Sequence, residues 1–469
     1  MEKNKIKEHF NNIAKDYLYW KKRNGYYFEQ VKNFYKKMIP CGQSILEIGC
    51  GTADVMEAVR PKLGIGVDIS QEMILIAKKR YPGNLFIICD SENLSLKNKL
   101  VRYIIISDLI EHVPDVLRIL EESESVIEDR GRLIINTINP LWGGILSMLE
   151  TLNLKMPEGP HNFIDIRDIV FMAELLSFKI EKYGYFIFLP GKIFFISDIL
   201  NRIIPHFPLL RRLCCAQYLI AQKEEASLER KNLSVSIIIP CFNEQENVSI
   251  CLSRIPHMGS YQEVIFVNDG SVDCTEEKIK ELMAGDERVR LVSYPLCQGK
   301  GHAVRKGFDT AKGDVLMILD ADMSVMPEDL PKFFGVFLRD KADFVNGTRM
   351  VYTVKQSMHI LHVLGNKIFS LIFTLLLKQR ITDTLCGTKA LLKKDYEKIK
   401  LSSKADPWGD FDLLLGAAKL GLRIKEMPVR YQKRIYGHSK MQPFKHGFIL
   451  FLRVLRTLKE MKIDRLLKN

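Results

Sequence analysis

The chain has 469 residues, 47% of them hydrophobic and 27% charged, a balance that excludes a disordered chain, collagen or a disulfide-stapled miniprotein. At roughly 100–200 residues per domain this length suits two to four domains. Lysine and arginine number 69 against 56 aspartates and glutamates, a formal net charge of +13, which favours an anionic partner (nucleic acid, acidic membrane face or phosphorylated substrate) without choosing among them.

The opening MEKNKIKEHF carries no apolar signal core. The ten cysteines are scattered, Cys214 and Cys215 adjacent, with no CxxC pair. Free thiols in a reducing, cytoplasmic compartment are expected. No run of about 18 uninterrupted apolar residues exists, so no membrane-spanning helix is predicted; the nearest stretch, 360–377, is broken by His362, Asn366 and Lys367.

The first half alternates strand and helix patterns as far as a last strand at 217–222. A buried-type strand, SILEI, runs into Gly49-Cys50-Gly51-Thr52-Ala53-Asp54, and glycines there allow a tight turn and close approach of backbone to a ligand. A second strand, 64–67, ends at Asp68, where an acid can accept from both ribose hydroxyls. A third, 85–89, ends at Asp90-Ser91, suited to an adenine amino group, and a fourth, 101–106, ends in Ser107-Asp108. Glu47 would face a pyrophosphate in a dinucleotide site. It fits instead a ligand without phosphates and with a cationic amino-acid end.

The charged stretch 224–233 reads as a linker. Beyond it, VSIIIPCFNEQENV sets Pro240, Asn243 and Glu244 at the mouth of a strand. EVIFV ends in Asn268-Asp269-Gly270, and VLMIL ends in Asp320-Ala321-Asp322. Open α/β sheets bind ligands at such strand ends. Two carboxylates one residue apart suit Mg²⁺ or Mn²⁺ with phosphate oxygens completing the shell. Gln298-Gly299-Lys300-Gly301-His302 presents a glycine-flanked lysine fit for a phosphate.

ILEIGCGTAD, GVDIS, CDSENL and SDLIEHVPD resemble the motif series of class I S-adenosylmethionine-dependent methyltransferases, over about residues 10–223. The resemblance implies a Rossmann-like α/β domain with Glu47, Gly49 and Gly51 at the methionine end, Asp68 on the ribose, and Asp90 and Ser91 at the adenine. FNNIAKDYLYW resembles the family's N-terminal cover helix. IEHVPD and PEGPHNFI are similar to ubiquinone-pathway O-methyltransferases, which implies His112 and His161 as candidate catalytic bases. A neutral imidazole suits that task; the alternative for His112 is a structural histidine at a helix start. Asp108, Glu111 and His112 also offer a metal oxygen and nitrogen donors.

PCFNEQENV, VNDGSVD, GKGHAVRKGF, LDADMSVMPEDL, FVNGTRM, DTLCGTKAL, GDFDLLLGAAKLGLRIKEMPV and RIYGHSKM resemble family 2 glycosyltransferases of the GT-A fold, above all polyprenyl-phosphate sugar transferases such as dolichyl-phosphate mannose synthase. The resemblance implies that Pro240, Asn243, Glu244, Asp269 and Lys300 hold a nucleotide sugar (GDP-mannose or a UDP-sugar) and that Asp320 and Asp322 bind the cation. It also implies that Arg349, Arg434, Ser439 and Lys440 gather the acceptor phosphate. Asp412 stands where the family has an acid, with Asp410 beside it. A phosphate acceptor is already ionised at pH 7, whereas a sugar hydroxyl needs a base.

The expected architecture is thus two α/β domains, a methyltransferase over 1–223 and a glycosyltransferase over 234–441, joined by the 224–233 linker and followed by a basic amphipathic helix over 442–469. The expected function is bifunctional: methyl transfer, to oxygen, and inverting sugar transfer to a polyprenyl phosphate or glycan precursor. Basic apolar segments at 360–377 and 444–458 suggest peripheral contact with an anionic membrane, on the inner face of the cell membrane. Rival readings are a soluble hydroxyl acceptor, a degenerate binding half, or a nucleic-acid methylase. The chain has no added basic recognition module or arginine-rich arm to favour nucleic acid.

Overall fold

The computed structural model describes residues 3–96, 99–157, 159, 161–225, 232–352, 370–374, 379–402 and 410–432. Several expectations fall outside them: Arg434, Ser439 and Lys440, the 442–469 helix, most of 360–377, and residues 226–231 of the linker. The chain divides into two compact units, residues 1–227 and 228–469, each built on a seven-stranded mixed sheet.

The first unit opens with two helices, α1 (Lys3–Arg23) and α2 (Gly25–Met38). It continues as β1 (Ser44–Ile48), α3 (Asp54–Ala58), β2 (Leu63–Asp68), α4 (Gln71–Arg80), β3 (Leu85–Ile88), β4 (Val101–Ser107), α5 (Val116–Val126), β5 (Ile127–Ile138), α6 (Gly143–Thr151), α7 (Ile166–Leu175), β6 (Phe178–Phe186), α8 (Ile196–Ile203) and β7 (Ala216–Lys223). The strand order is β3-β2-β1-β4-β5-β7-β6. The first five are parallel neighbours, while β7 runs antiparallel to β5 and β6. Ile45, Leu46, Ile104, Ile105 and Ile134 are buried, which is why these strands read as apolar runs without alternation. Side-chain caps fix the helix starts: Ser70 accepts from Met73 N (3.2 Å), Asp115 from Arg118 N (3.2 Å) and Asp165 from Arg167 N (2.9 Å).

The second unit runs β8 (Val235–Cys241), α9 (Val248–Ser253), β9 (Gln262–Asp269), α10 (Thr275–Gly285), β10 (Val289–Tyr294), α11 (Lys300–Thr310), β11 (Val315–Ile318), α12 (Leu330–Leu338), β12 (Phe344–Thr348), β13 (Lys389–Leu392) and β14 (Ile424–Pro428), with helices Lys393–Ser402 and Asp410–Lys419 between the last two strands. The order is β10-β9-β8-β11-β13-β12-β14; β13 is antiparallel to both neighbours. In each sheet the direction of strand addition reverses beside the first strand, between β1 and β4 and between β8 and β11. Ligand crevices open at such switch points.

Both units are α/β, as the sequence patterns require. No helix among the described residues is long and apolar enough to cross a membrane, and all ten cysteines are free thiols.

Gly313 marks the close packing at the start of β8 and β11. A Cβ there would lie 2.6 Å from Ser236 N and from the Val235 carbonyl carbon, and backbone cannot swing aside. Gly313→Ala should destabilise the second unit by about 1–3 kcal/mol, read as a lower urea midpoint at unchanged slope.

Candidate active sites

In the first unit a cavity of about 390 Å³ lies over the carboxyl ends of β1, β2 and β4. Glu47, Gly49, Gly51, Asp68, Asp90 and Ser91 all line it. Gly49 (φ +72°) and Gly51 (φ +50°) hold left-handed backbone, and a Cβ on Gly49 would lie 2.7 Å from Leu109 Cδ1, so the turn needs glycine there. The turn is fixed from below by Asp68, whose carboxylate accepts from Gly51 N (2.8 Å) and Ser70 N (2.8 Å). Burial raises the Asp68 carboxyl against the pull of those amides.

Glu47 is buried and accepts from Met56 N (3.2 Å). Burial pushes its carboxyl up to about 8, with Lys21 pulling the other way. A carboxyl kept protonated in a closed cavity is poised to ionise against a cation.

Helix α1 covers the cavity. Lys3, near its start, ion-pairs with Asp90 (2.6 Å) and Glu92 (2.7 Å). Lys21, near its end, reaches Asp54 (2.9 Å) and Thr52 (3.2 Å). Phe10, Tyr17 and Trp20 face the cavity between them. Burial alone would raise the Asp54 carboxyl, but Lys21 and Arg80 hold it low. Sequence reasoning placed the cover helix but not its two lysine anchors, which depend on folding the helix back over strand ends far along the chain.

His112 also lines the cavity. Its ring lies 5.1 Å from that of Phe10, edge to face, and 5.0 Å from that of His161. His161 Nε2 lies 3.2 Å from Glu150 Oε1. The fold therefore brings the two candidate bases together, with His112 toward the cavity and His161 behind it. Burial, then the neighbouring His161, lowers His112 to about 3, so it is neutral at pH 7 but a weak proton acceptor by itself. The Asp108–Glu111–His112 metal option finds no support: Glu111 is buried and takes Thr137 Oγ1 (2.8 Å) and Ile138 N (3.3 Å). Asp108 accepts from Tyr27 OH (2.9 Å) and Asn136 Nδ2 (2.7 Å). Among the described residues no group of three or more metal-ligating side chains occurs in either unit.

In the second unit, Asp320 and Asp322 follow the end of β11. Asp320 ion-pairs with Lys300 (2.6 Å) at the start of α11, and Asp322 accepts from Ser324 N (2.9 Å). Gly387 passes so close that a Cβ would collide with Asp320 Oδ2 and lie 2.6 Å from Lys300 Nζ. Two carboxylates fit a cation that takes its remaining ligands from phosphate and water.

Pro240, next to last in β8, pairs with Val267. Asn243 and Glu244 form the turn that follows: Asn243 Oδ1 accepts from Val272 N (2.9 Å), and Glu244 Oε2 accepts from Asn247 Nδ2 (2.6 Å). Asp269 is buried and accepts from Gln298 N (2.9 Å), Gly299 N (2.8 Å) and Cys297 Sγ (3.3 Å). Its carboxylate shapes the 297–299 loop in front of Lys300.

Arg349, expected at the acceptor phosphate, is paired with a carboxylate of the protein. Its guanidinium grips buried Asp383 through Nε (2.6 Å) and Nη2 (2.9 Å), and its backbone N–H donates to the same carboxylate (3.0 Å). Burial opposes the charge, but Asp383 more than offsets it and the Arg349 pKa rises. This fork braces the 382–385 loop. Buried Glu426 holds the same loop by accepting from Thr382 N (2.8 Å) and Asp383 N (3.1 Å). Asp412, on the helix Asp410–Lys419, sits 4.0 Å from Arg305 Nη1.

Family comparison places each unit in a known family. The family described as "Methyltransferase domain" matches residues 46–135, and "Glycosyl transferase family 2" matches residues 236–400. The chain is 31% identical over 244 residues to a dolichol-phosphate mannosyltransferase of Pyrococcus furiosus, covering 50% of this chain and 67% of that one. It is 32% identical over 227 residues to a polyprenol monophosphomannose synthase of Mycolicibacterium smegmatis, covering 46% and 84%. Among solved structures, an SAM-dependent methyltransferase of Thermotoga maritima aligns over 47% of this chain and all of its own, with 18% identity and a TM-score of 0.39. The chain is thus a transferase that belongs to glycosyl transferase family 2 through its C-terminal half and carries a methyltransferase domain in its N-terminal half.

Proposed function

We propose that the first unit transfers a methyl group from S-adenosylmethionine to an oxygen acceptor. The second unit transfers a sugar from a nucleotide donor, with inversion, to a polyprenyl phosphate. The observation that carries the first reading is the single cavity wall on which Glu47, Asp68 and Asp90 follow one another, a carboxylate for each end of a nucleoside linked to an amino acid. The donor's sulfonium supplies an activated methyl group. The chain's task is then to orient the acceptor, exclude water and accept a proton. Tyr27, Asp108 and the His112–His161 pair border the place where that proton would leave. His112 would pass it toward His161 and Glu150 rather than keep it.

The second reading rests on Asp320 and Asp322 beside Lys300. Asp320 and Asp322 would hold Mg²⁺ or Mn²⁺, whose charge eases departure of the diphosphate. Lys300 gives the same leaving group a point charge, and Pro240, Asn243, Glu244 and Asp269 shape the nucleotide pocket. A lipid phosphate is a nucleophile without deprotonation, and Asp412 need not act as base toward it.

Three outcomes test this. With Mn²⁺, a nucleotide sugar and undecaprenyl or dolichyl phosphate, wild-type protein should form a lipid-phosphate hexose detectable by mass spectrometry. Asp322→Ala should reduce that product about a hundredfold or more. Transfer to a sugar hydroxyl alone, requiring Asp412 and no lipid, would overturn the acceptor assignment.

Glu47 gives a pH signature. Burial keeps its carboxyl protonated up to about pH 8, and a cationic ligand favours the ionised form. Binding therefore releases a proton, and affinity should rise with pH, about tenfold per unit below pH 8. Calorimetry should show this slope for wild type and a flat profile for Glu47→Gln.

Arg349 separates bracing from acceptor binding. Arg349→Ala strands the buried Asp383 and should lower the second unit's stability by about 3–5 kcal/mol, with part regained on adding Asp383→Leu. Unchanged stability with a raised KM for polyprenyl phosphate would restore the acceptor role.

A further inference from the structure

Helix α8 is built inside out. Two of its polar side chains, Ser197 and Asn201, face the protein. Ser197 is buried, donates to Gly191 O (2.7 Å) and accepts from Ile193 N (2.8 Å). Asn201 bonds both the N–H (2.8 Å) and the carbonyl (2.9 Å) of Leu189. Asp198 accepts from Tyr26 OH (2.8 Å). Ile196, Ile199 and Ile203, at helical spacing on the other side, are exposed. A surface helix of a water-facing domain has the reverse arrangement.

The flanks extend the same surface. Phe194 and Phe195, just before the helix, are 82% and 70% exposed, and Leu209 beyond it is 90% exposed. The far end is tied down by Trp142 Nε1 to Leu213 O (2.8 Å) and Asn139 Nδ2 to Arg212 O (2.8 Å). That places it against the start of α6, where Ile145 and Met148 are also exposed. Large aromatic and aliphatic side chains held outward over one continuous stretch mark an interaction face. The stretch 192–213 also carries exposed Arg202, Arg211 and Arg212, with Lys192 paired to Asp198, its one carboxylate.

We infer that residues 192–213 form a docking surface for an anionic lipid bilayer. The apolar side chains enter the headgroup boundary and the arginines meet lipid phosphates. Charge selects this occupant. A second copy of the chain, packed symmetrically, would set the same cations against each other, whereas an anionic leaflet neutralises them. This stretch is distinct in sequence from 360–377 and 444–458. It directly follows Pro190 and Gly191, which line the cavity, so docking would bring the acceptor end of that cavity, with Leu146, Leu149 and Met156, beside the membrane.

The test is co-sedimentation of the full chain with vesicles of phosphatidylcholine alone and with about one-third phosphatidylglycerol. Wild type should bind the anionic vesicles about tenfold or more tightly than the neutral ones. F194S/F195S/L209S should lose about tenfold of that binding, and R211E/R212E should lose the preference for anionic lipid. The changed side chains are exposed, so unchanged thermal midpoint and S-adenosylmethionine titration would show that the fold is intact. The same titration keeps failure of docking distinct from failure of the cavity assignment. Equal vesicle binding by wild type and F194S/F195S/L209S, or none by wild type, overturns the inference. So does a wild-type dimer, seen by light scattering, that the triple variant converts to monomer without any vesicle binding.

Discussion

Both units depend on a carboxylate at the end of a parallel strand that accepts hydrogen bonds from the amides of a neighbouring glycine turn. Asp68 bonds Gly51 N and Ser70 N; Asp269 bonds Gln298 N and Gly299 N. The Gly51, Gln298 and Gly299 bonds cross between segments distant in sequence, so they fix the turn relative to the sheet. Gly51 opens onto the first-unit cavity, and Gly299 leads into Lys300 at the start of α11. Charge-assisted bonds of this kind are stronger than neutral ones, and in a part-buried site they hold loops that carry little apolar surface of their own. Where such a carboxylate also faces a ligand, it must divide its lone pairs between architecture and recognition.

How much of this was legible follows from what sequence encodes locally. Buried parallel strands appear as short apolar runs, and their ends are marked by Gly49, Asp68, Asp90, Asp320 and Asp322, so fold class and the first-unit constellation could be read directly. All of Glu47, Gly49, Gly51, Asp68, Asp90 and Ser91 converge on one cavity. Pairings made by long-range packing were not legible. Arg349 meets Asp383 across 34 positions, and the intervening chain gives no sign that the fork is already filled. Composition likewise cannot show that His112 sits deep enough to become a weak base; that depends on Phe10 and His161 closing around it. The exposed apolar side of α8 was missed for a related reason: an i, i+3, i+7 pattern says that one side is apolar, not which way it faces. Only the Ser197 and Asn201 bonds decide that.

The two anchors of α1 differ in a way that gives the cover a preferred direction of opening. Lys3, near the start of the helix, is 41% exposed in its pairing with Asp90; ion pairs so open to water contribute about 0–1 kcal/mol and fade with salt. Lys21, near its end, is 16% exposed and is also enclosed by the rings of Tyr17 (4.9 Å) and Phe28 (5.2 Å). One end of the helix is latched and the other hinged. The end over Asp90 lifts at the smaller cost, so water reaches that side of the cavity first and the side beside Asp54 last.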